Sequence, residues 1–285
     1  MAKATHPSSA ELVRERAREG EIDRYLAATR SPAAARADLI TLAAFAAEIA
    51  RIPATVREPM MGAIRLQWWR DAIALPAGEA SGHPVANAIR ETITRHRLPP
   101  ALLIGTIDAR EGDVTGNLLP DARSRRAWLA KREGALFELA WRILGLPPST
   151  EADEACADAG HAYGLARALS HLPAAIQHGG LLLSGEELSA AGVDVERLTS
   201  ADAAAQLEPL IEALRVEAER AVGRARELIR QLPRGAALAL LPAASVTGYL
   251  AAQRRGPRPS LHAITEPLPL ARVTRIWLAS VTGRL

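Results

Sequence analysis

Three groups of residues in this 285-residue chain have the types and spacing to do chemistry. The first is Tyr163, Arg167, His171, Ala174 and His178, which recur at intervals of four, four, three and four, so a helix places them on one stripe. A phenol, a guanidinium and two imidazoles on one stripe can line a cavity and hold an anion. The same stripe can instead meet the loop after Gly179, with each histidine satisfied by backbone. The second group is the stretch 62–73, where Gln67, Arg70 and Asp71 share one arc of a helix and Arg65 falls on the opposite arc between Trp68 and Trp69. Arg65 or Arg70 then either points into a pocket or pairs with a carboxylate elsewhere. The third is Asp108, Arg110, Glu111 and Asp113, an arginine set among acids. It reads as a helix-end ion network, and its acids are candidate partners for Arg65 or Arg70.

Other chemistries find no residues to carry them. There is no glycine-rich phosphate loop, no Walker lysine pattern, no serine in a nucleophile elbow and no paired-histidine metal spacing. We therefore expect no catalytic residue and no metal ligand set. The single Cys156 leaves no intramolecular disulfide and no cysteine-based zinc site. The net charge of +3 is spread along the chain, and the basic runs 123–126 and 254–255 are short, so no nucleic-acid partner is expected. Residues 1–21 lack an apolar core and carry four glutamates, which fits neither a signal nor a transit peptide and points to the cytoplasm. The uncharged run 235–253 is about long enough to span a bilayer. Pro242, Ser245, Thr247 and Gly248 weaken it, so it reads as a buried helix, with contact to a membrane surface as the alternative.

The elements that position these groups are all helical. Alanine and leucine dominate, phenylalanine and tyrosine are scarce, and no period-two pattern survives. Ser8 or Ser9 caps a first helix ending near Gly20. Ser31 as cap and Pro32 at the first position open a helix that Pro53 should stop. Pro59 opens the tryptophan helix. Helices are expected over 85–97 and 101–113. Asp121 caps a long one reaching Leu144, and Thr150 caps another that runs to about His178 with a kink at Pro173. A short helix follows Ser184, and Thr199 or Ser200 caps a long one. Helices over 236–253 and 268–281 complete an all-α single domain, with 1–20 as an N-terminal extension and 21–285 as the body.

Asp23-Arg24-Tyr25-Leu26, Arg36-Ala37-Asp38-Leu39, Phe45-Ala46-Ala47-Glu48-Ile49-Ala50 and above all Arg65-Leu66-Gln67-Trp68-Trp69-Arg70-Asp71 resemble the squalene/phytoene synthase family. Asp108-Ala109-Arg110, Ala162-Tyr163-Gly164-Leu165 and Leu240-Leu241-Pro242-Ala243 follow in the same order. The resemblance implies an isoprenoid-synthase-like helical bundle around a central cavity. Active members join two prenyl diphosphates, and two aspartate-rich motifs bind the Mg²⁺ that neutralises the leaving diphosphate. Here the first motif's acids fall at Ala50, Arg51 and Ala54, the second's at His171 and Ala175, and 165–185 contains no acid at all. Gly180 and Leu182 stand where the family has an arginine and a tyrosine.

The chain therefore resembles the branch with degraded aspartate motifs that includes the respiratory complex I assembly factor. The branch implies a non-catalytic protein that assists a membrane complex, peripheral at the inner membrane, or that binds a prenyl or lipid ligand. Arg51, Arg65, Arg70, Tyr163, Arg167 and His171 are the candidates to line its cavity. Gln67, Trp68, Trp69, Asp71, Asp108 and Arg110 form its structural signature. The alternative is a prenyltransferase, Mg²⁺-dependent, drawing acids from Glu48, Asp108 or Asp113.

Overall fold

The computed structural model describes residues 7–56, 58–76, 78–178, 182–198, 200–233, 235–255 and 264–285. These residues form α-helices and no strand. The helices are α1 (Ser9–Gly20), α2 (Ile22–Arg30), α3 (Ala33–Thr55), α4 (Pro59–Ala74), α5 (Pro84–His96), α6 (Pro100–Asp108), α7 (Glu111–Thr115) and α8 (Ala122–Leu129). After them come α9 (Ala135–Ile143), α10 (Thr150–Ser170), α11 (Leu172–His178), α12 (Gly185–Ala190), α13 (Ala201–Ile229), α14 (Ala236–Leu240), α15 (Val246–Arg255) and α16 (Pro269–Thr282).

Local chemistry explains most boundaries. Ser8 and Glu11 form a reciprocal capping box on α1, and Ser184 and Glu187 form one on α12. Asp121 caps α8 and Ser200 caps α13. Several boundaries depart from the expectation. Ser31 caps nothing downstream: its hydroxyl donates back to the Ala27 carbonyl, and α3 starts at Ala33. Pro53 does not stop α3, because in the last turn it removes only one backbone hydrogen bond. Ser149, not Thr150, caps α10. The expected helix 101–113 is two helices, with the turn at Ala109 held by the Trp128 indole donating to the Ala109 carbonyl at 2.7 Å.

The long helix after Asp121 carries a π-helical turn over Ala130–Gly134 between α8 and α9. That turn brings Gly134 so close to Gly160 of α10 that a Cβ on Gly160 would lie 2.5 Å from the Gly134 backbone. Pro173 turns the expected kink into a break at His171, which separates α10 from α11. The run 236–253 is likewise interrupted, by a 3₁₀ turn over Leu241–Ser245 with Pro242 at its second position.

Two large apolar clusters make most of the core among the described residues, and a small third one joins Ala27, Leu241, Ala244 and Ala279. One centres on α3 and takes in Phe45, Ile49, Leu66, Ile89, Leu103 and Leu136. The other centres on α10 and α13, with Phe137, Tyr163, Leu165, Leu207 and Leu240. Each fully buried side chain of this size contributes about 1.5–3 kcal/mol. α1 lies across α3, and Gly20 makes this possible, since a Cβ there would sit 2.5 Å from the Ala47 Cβ. The segment Ala236–Arg255 is apolar and long enough to cross a membrane by composition, yet most of it is buried inside the bundle.

Candidate functional site

The interior between α2, α10, α15 and α16 is organised on one carboxylate. Asp23, at the start of α2, is 1 % exposed. Its Oδ2 accepts from the Tyr249 hydroxyl at 2.7 Å and the Tyr163 hydroxyl at 3.1 Å. Its Oδ1 accepts from the Ser245 hydroxyl at 2.9 Å and lies 3.1 Å from Arg272 Nε in an ion pair. Four elements far apart in sequence thus converge on one residue. Burial pushes both tyrosine hydroxyls well above their ordinary pKa, so they stay protonated and donate.

The neighbouring charges extend this hub into a buried chain. Arg167 Nη1 donates to Glu21 Oε1 at 2.7 Å, and Arg24 Nε lies 3.4 Å from the other Glu21 oxygen. Arg24 Nη2 donates to Glu133 on the π-helical turn at 2.8 Å. The Arg24 guanidinium also rests on the Phe137 and Tyr163 rings, and Arg167 on Tyr163. Burial opposes the charge on Glu133, but Arg24, Arg167, Arg110 and Arg132 together outweigh it and hold its carboxyl below the usual range. Arg132 pairs onward with Asp113, which Arg110 meets at 3.4 Å. Burial, reinforced by Arg132, pushes the Arg110 guanidinium down to about 10. At the other end Arg272 pairs with Glu266, which also meets His171 Nε2 at 3.2 Å.

The tryptophan helix α4 builds a second, separate place. Trp69 is buried edge-on against Phe45 and Trp68. Arg70 leaves α4 for the cluster at the end of α6, its Nε donating to Asp108 at 2.8 Å and its Nη2 reaching Glu111. Gln67 bridges Arg70 and Asp71 on the surface. Arg65 does not enter the aromatic face. It is exposed and donates to the Thr55 hydroxyl at 2.8 Å, because α4 turns that arc toward the C-terminal end of α3. There Glu48, Arg51, Ile52, Thr55, Arg65, Trp68, Trp69 and His83 line an open groove of about 260 Å³. Glu48 is buried and held by Arg16 at 2.6 Å and Arg51 at 3.0 Å. Burial keeps the His83 imidazole below its ordinary pKa, with Arg51 and Arg16 adding to that and Glu48 opposing it.

The expected cationic cavity is therefore two places. Arg51 and Arg65 share the groove, whereas Tyr163, Arg167 and His171 belong to the interior network, and Arg70 to neither. Of the stripe, Tyr163 and Arg167 turn inward, while His171 is partly exposed. Gly179 and Gly180 lie outside the described residues, and Leu182 is buried. The residues that sequence reasoning missed are Glu21, Asp23, Arg24, Glu133, Tyr249 and Arg272. The available signal was Glu21 and Arg24 at helical spacing with Asp23 between them; nothing near Glu133 or Tyr249 marked them.

The squalene/phytoene synthase family model matches residues 17–274. The chain belongs to the squalene/phytoene synthase family. A protein of Rattus norvegicus described as NADH dehydrogenase (ubiquinone) complex I, assembly factor 6 is 25 % identical over 278 residues, covering 96 % of this chain and 82 % of that protein. Among solved structures, the squalene synthase HpnC from Alicyclobacillus acidocaldarius matches with a TM-score of 0.70 at 19 % identity, over 87 % of this chain and 93 % of that one. A dehydrosqualene synthase in complex with ligand matches with a TM-score of 0.72 at 14 % identity, over 96 % of both. These two likenesses establish a shared fold.

The donor set can be tested against the Mg²⁺ that synthases of this family use. Mg²⁺ needs carboxylates with free oxygens facing a common point. The described residues contain no group of three or more metal-ligating side chains placed to share an ion. The positions that the sequence resemblance assigns to the two motifs carry Ala50, Arg51, Ala54, His171 and Ala175. The acids that are buried nearby are committed: Glu48 to two arginines, Asp23 to two tyrosines, a serine and an arginine, Glu133 to Arg24. These residues do not fit a Mg²⁺ site.

Proposed function

We propose that this protein is a non-catalytic member of the squalene/phytoene synthase family that assists the assembly of a respiratory membrane complex, acting at the inner-membrane surface. The observation that carries this reading is the state of the interior. Where a synthase needs free carboxylates on two facing helices, this chain has arginine, histidine and alanine, and its buried acids are cross-linked to arginines and tyrosines. Loss of the metal removes the largest electrostatic contribution to diphosphate departure. A relative that aligns with nearly the whole chain is described as a complex I assembly factor, which supports the choice of partner.

The test is a deletion strain in the native host, scored for NADH:ubiquinone oxidoreductase activity and for assembled complex on native gels. Both are expected to fall and to return with the intact gene; normal assembly without the protein removes the role. The prenyltransferase alternative is not favoured, since Asp108 is spent on Arg70 and Asp113 on Arg110 and Arg132. Purified protein given farnesyl or geranylgeranyl diphosphate with Mg²⁺ is expected to release no C30 or C40 product, and product formation reinstates that alternative.

A ligand role for the groove is a second part of the same proposal. Arg51 and Arg65 beside Trp68 and His83 offer two cations and an aromatic wall to an anionic lipid or prenyl headgroup. Farnesyl diphosphate without metal is expected to raise the melting temperature of the wild type and not of an Arg51→Ala/Arg65→Ala variant.

A further inference from the structure

α16 has two apolar faces, and among the described residues only one is covered. Ile276 and Ala279 pack inward, against the 3₁₀ turn at Pro242 and against α2. Leu270, Val273, Trp277, Leu278 and Val281 lie on the opposite side and are exposed, Leu270 by 75 % and Trp277 by 51 %. At 3.6 residues per turn they occupy an arc of roughly 140°. Leu268, just before the helix, is exposed as well. A continuous exposed strip of this kind marks a surface that another phase or molecule covers.

The charges around the strip say which. Residues 267–285 contain Arg272, Arg275 and Arg284 and no aspartate or glutamate. Arg272 is turned inward to Asp23 and Glu266. Arg275 lies over Gly248, and neither it nor Arg284 has an ion pair among the described residues. Arg30 of α2 reaches the flank of α16, where its Nε donates to the Ser280 hydroxyl at 3.0 Å. The nearest acid in sequence, Glu266, is already paired with Arg272. An apolar face carrying a tryptophan, rimmed by unneutralised arginines and free of acids, has the chemistry of a helix that lies in the plane of an anionic bilayer.

We propose that α16 docks this protein on an anionic lipid surface, with Leu270, Val273, Trp277, Leu278 and Val281 inserted at the headgroup boundary and Arg30 and Arg284 facing lipid phosphates. The burial of 236–253 moves the membrane contact from the most apolar segment to this shorter amphipathic one. The proposal stands on α16 alone and does not rest on the assembly role. Each arginine near an anionic leaflet strengthens binding about fivefold at moderate salt.

The test is flotation of the full-length protein with vesicles of phosphatidylcholine alone or with about 30 % phosphatidylglycerol, at low and high salt. The wild type is expected to float with the anionic vesicles at least tenfold more strongly than with the neutral ones, and to be released by salt. Trp277→Glu/Leu278→Glu is expected to lose that binding at least tenfold with its helical circular dichroism intact. Arg30→Gln/Arg284→Gln is expected to flatten the salt dependence. Met61→Glu, on the exposed apolar stripe of α4, is expected to bind as the wild type does. Equal binding to neutral and anionic vesicles, or undiminished binding by the Trp277/Leu278 variant, overturns the proposal. So does a wild-type dimer in sedimentation equilibrium that this variant dissociates, which assigns the face to a second copy of the chain. A deletion strain with normal complex assembly leaves the vesicle result unaffected, so the two readings fail separately.

Discussion

Replacing Asp23 by asparagine tests whether the ion network holds the interior together. Asparagine keeps the shape but has one acceptor oxygen where the carboxylate has two. If its NH₂ group faced the Oδ1 side it would meet the Arg272 guanidinium, donor against donor. The amide therefore turns its oxygen to Ser245 and Arg272 and its nitrogen to the two tyrosines. Tyr163 and Tyr249 must then rotate their hydroxyls to accept, and their protons are left without the carboxylate they now reach at 3.1 and 2.7 Å. Arg272 is not stranded, because Glu266 still pairs with it. Losing the charge assistance on four contacts at about 1 kcal/mol each gives a destabilisation of about 4 kcal/mol, within the range for breaking a buried pair. With an unfolding entropy of about 2.1 cal/mol/K per residue, that lowers Tm by about 7 °C. Urea and thermal melts followed by circular dichroism measure it. Tyr249→Phe alone should cost about 1–2 kcal/mol, and the double variant should cost clearly less than the sum, since the two share one bond. A loss below about 1 kcal/mol for Asp23→Asn, or strict additivity with Tyr249→Phe, refutes the reasoning.

Two further outcomes follow from the packing and the charges. Gly160→Ala should destabilise by about 1–3 kcal/mol in urea melts despite alanine's better helix propensity, because its Cβ meets the Gly134 backbone at 2.5 Å; Gly223→Ala on α13, with open space around it, should be neutral to slightly stabilising. Acid should unfold the protein partly through Asp38. Burial disfavours the charge on Asp38, but hydrogen bonds from His96, Arg95 and Thr92 outweigh it and leave its carboxyl below the ordinary value. A carboxyl depressed in the folded state contributes fully above its unfolded pKa of about 4 and loses that contribution as pH falls through the lower folded value. The urea midpoint of Asp38→Asn should accordingly be lower than that of the wild type near neutral pH and fall less steeply below about pH 4.

Much of the architecture was legible because helix boundaries are local chemistry. Ser8, Asp121, Ser184 and Ser200 mark helix starts by residue type, since the cap needs only a side-chain oxygen next to free backbone N–H groups. The pairing of Arg70 with Asp108 was also within reach, because both sat on exposed arcs of predicted helices with opposite charge. The break at His171 and the 3₁₀ turn at Pro242 were legible as irregularities but not in form. Proline announces a lost hydrogen bond without saying whether the helix bends, breaks or tightens.

By itself the sequence determined an all-α chain with the signature of the squalene/phytoene synthase family, and the resemblance assigned Ala50, Arg51, Ala54, His171 and Ala175 to the positions of that family's metal-binding acids. Composition, caps and motif identity are properties of neighbouring residues, and they survive any arrangement of the helices. Only the tertiary structure decided what replaced the missing site. Glu21 sits between α1 and α2, Asp23 and Arg24 on α2, Glu133 on a π-helical turn, Tyr163 and Arg167 on α10, Tyr249 on α15 and Arg272 on α16. Across chain separations as large as that between Asp23 and Arg272, no spacing rule tells which carboxylate meets which arginine. That depends on how helices cross, and crossing depends on close approaches such as Gly160 on Gly134. The same holds for membrane contact. Hydropathy singles out 236–253, and packing buries it, while α16 keeps a second apolar face that no described residue covers.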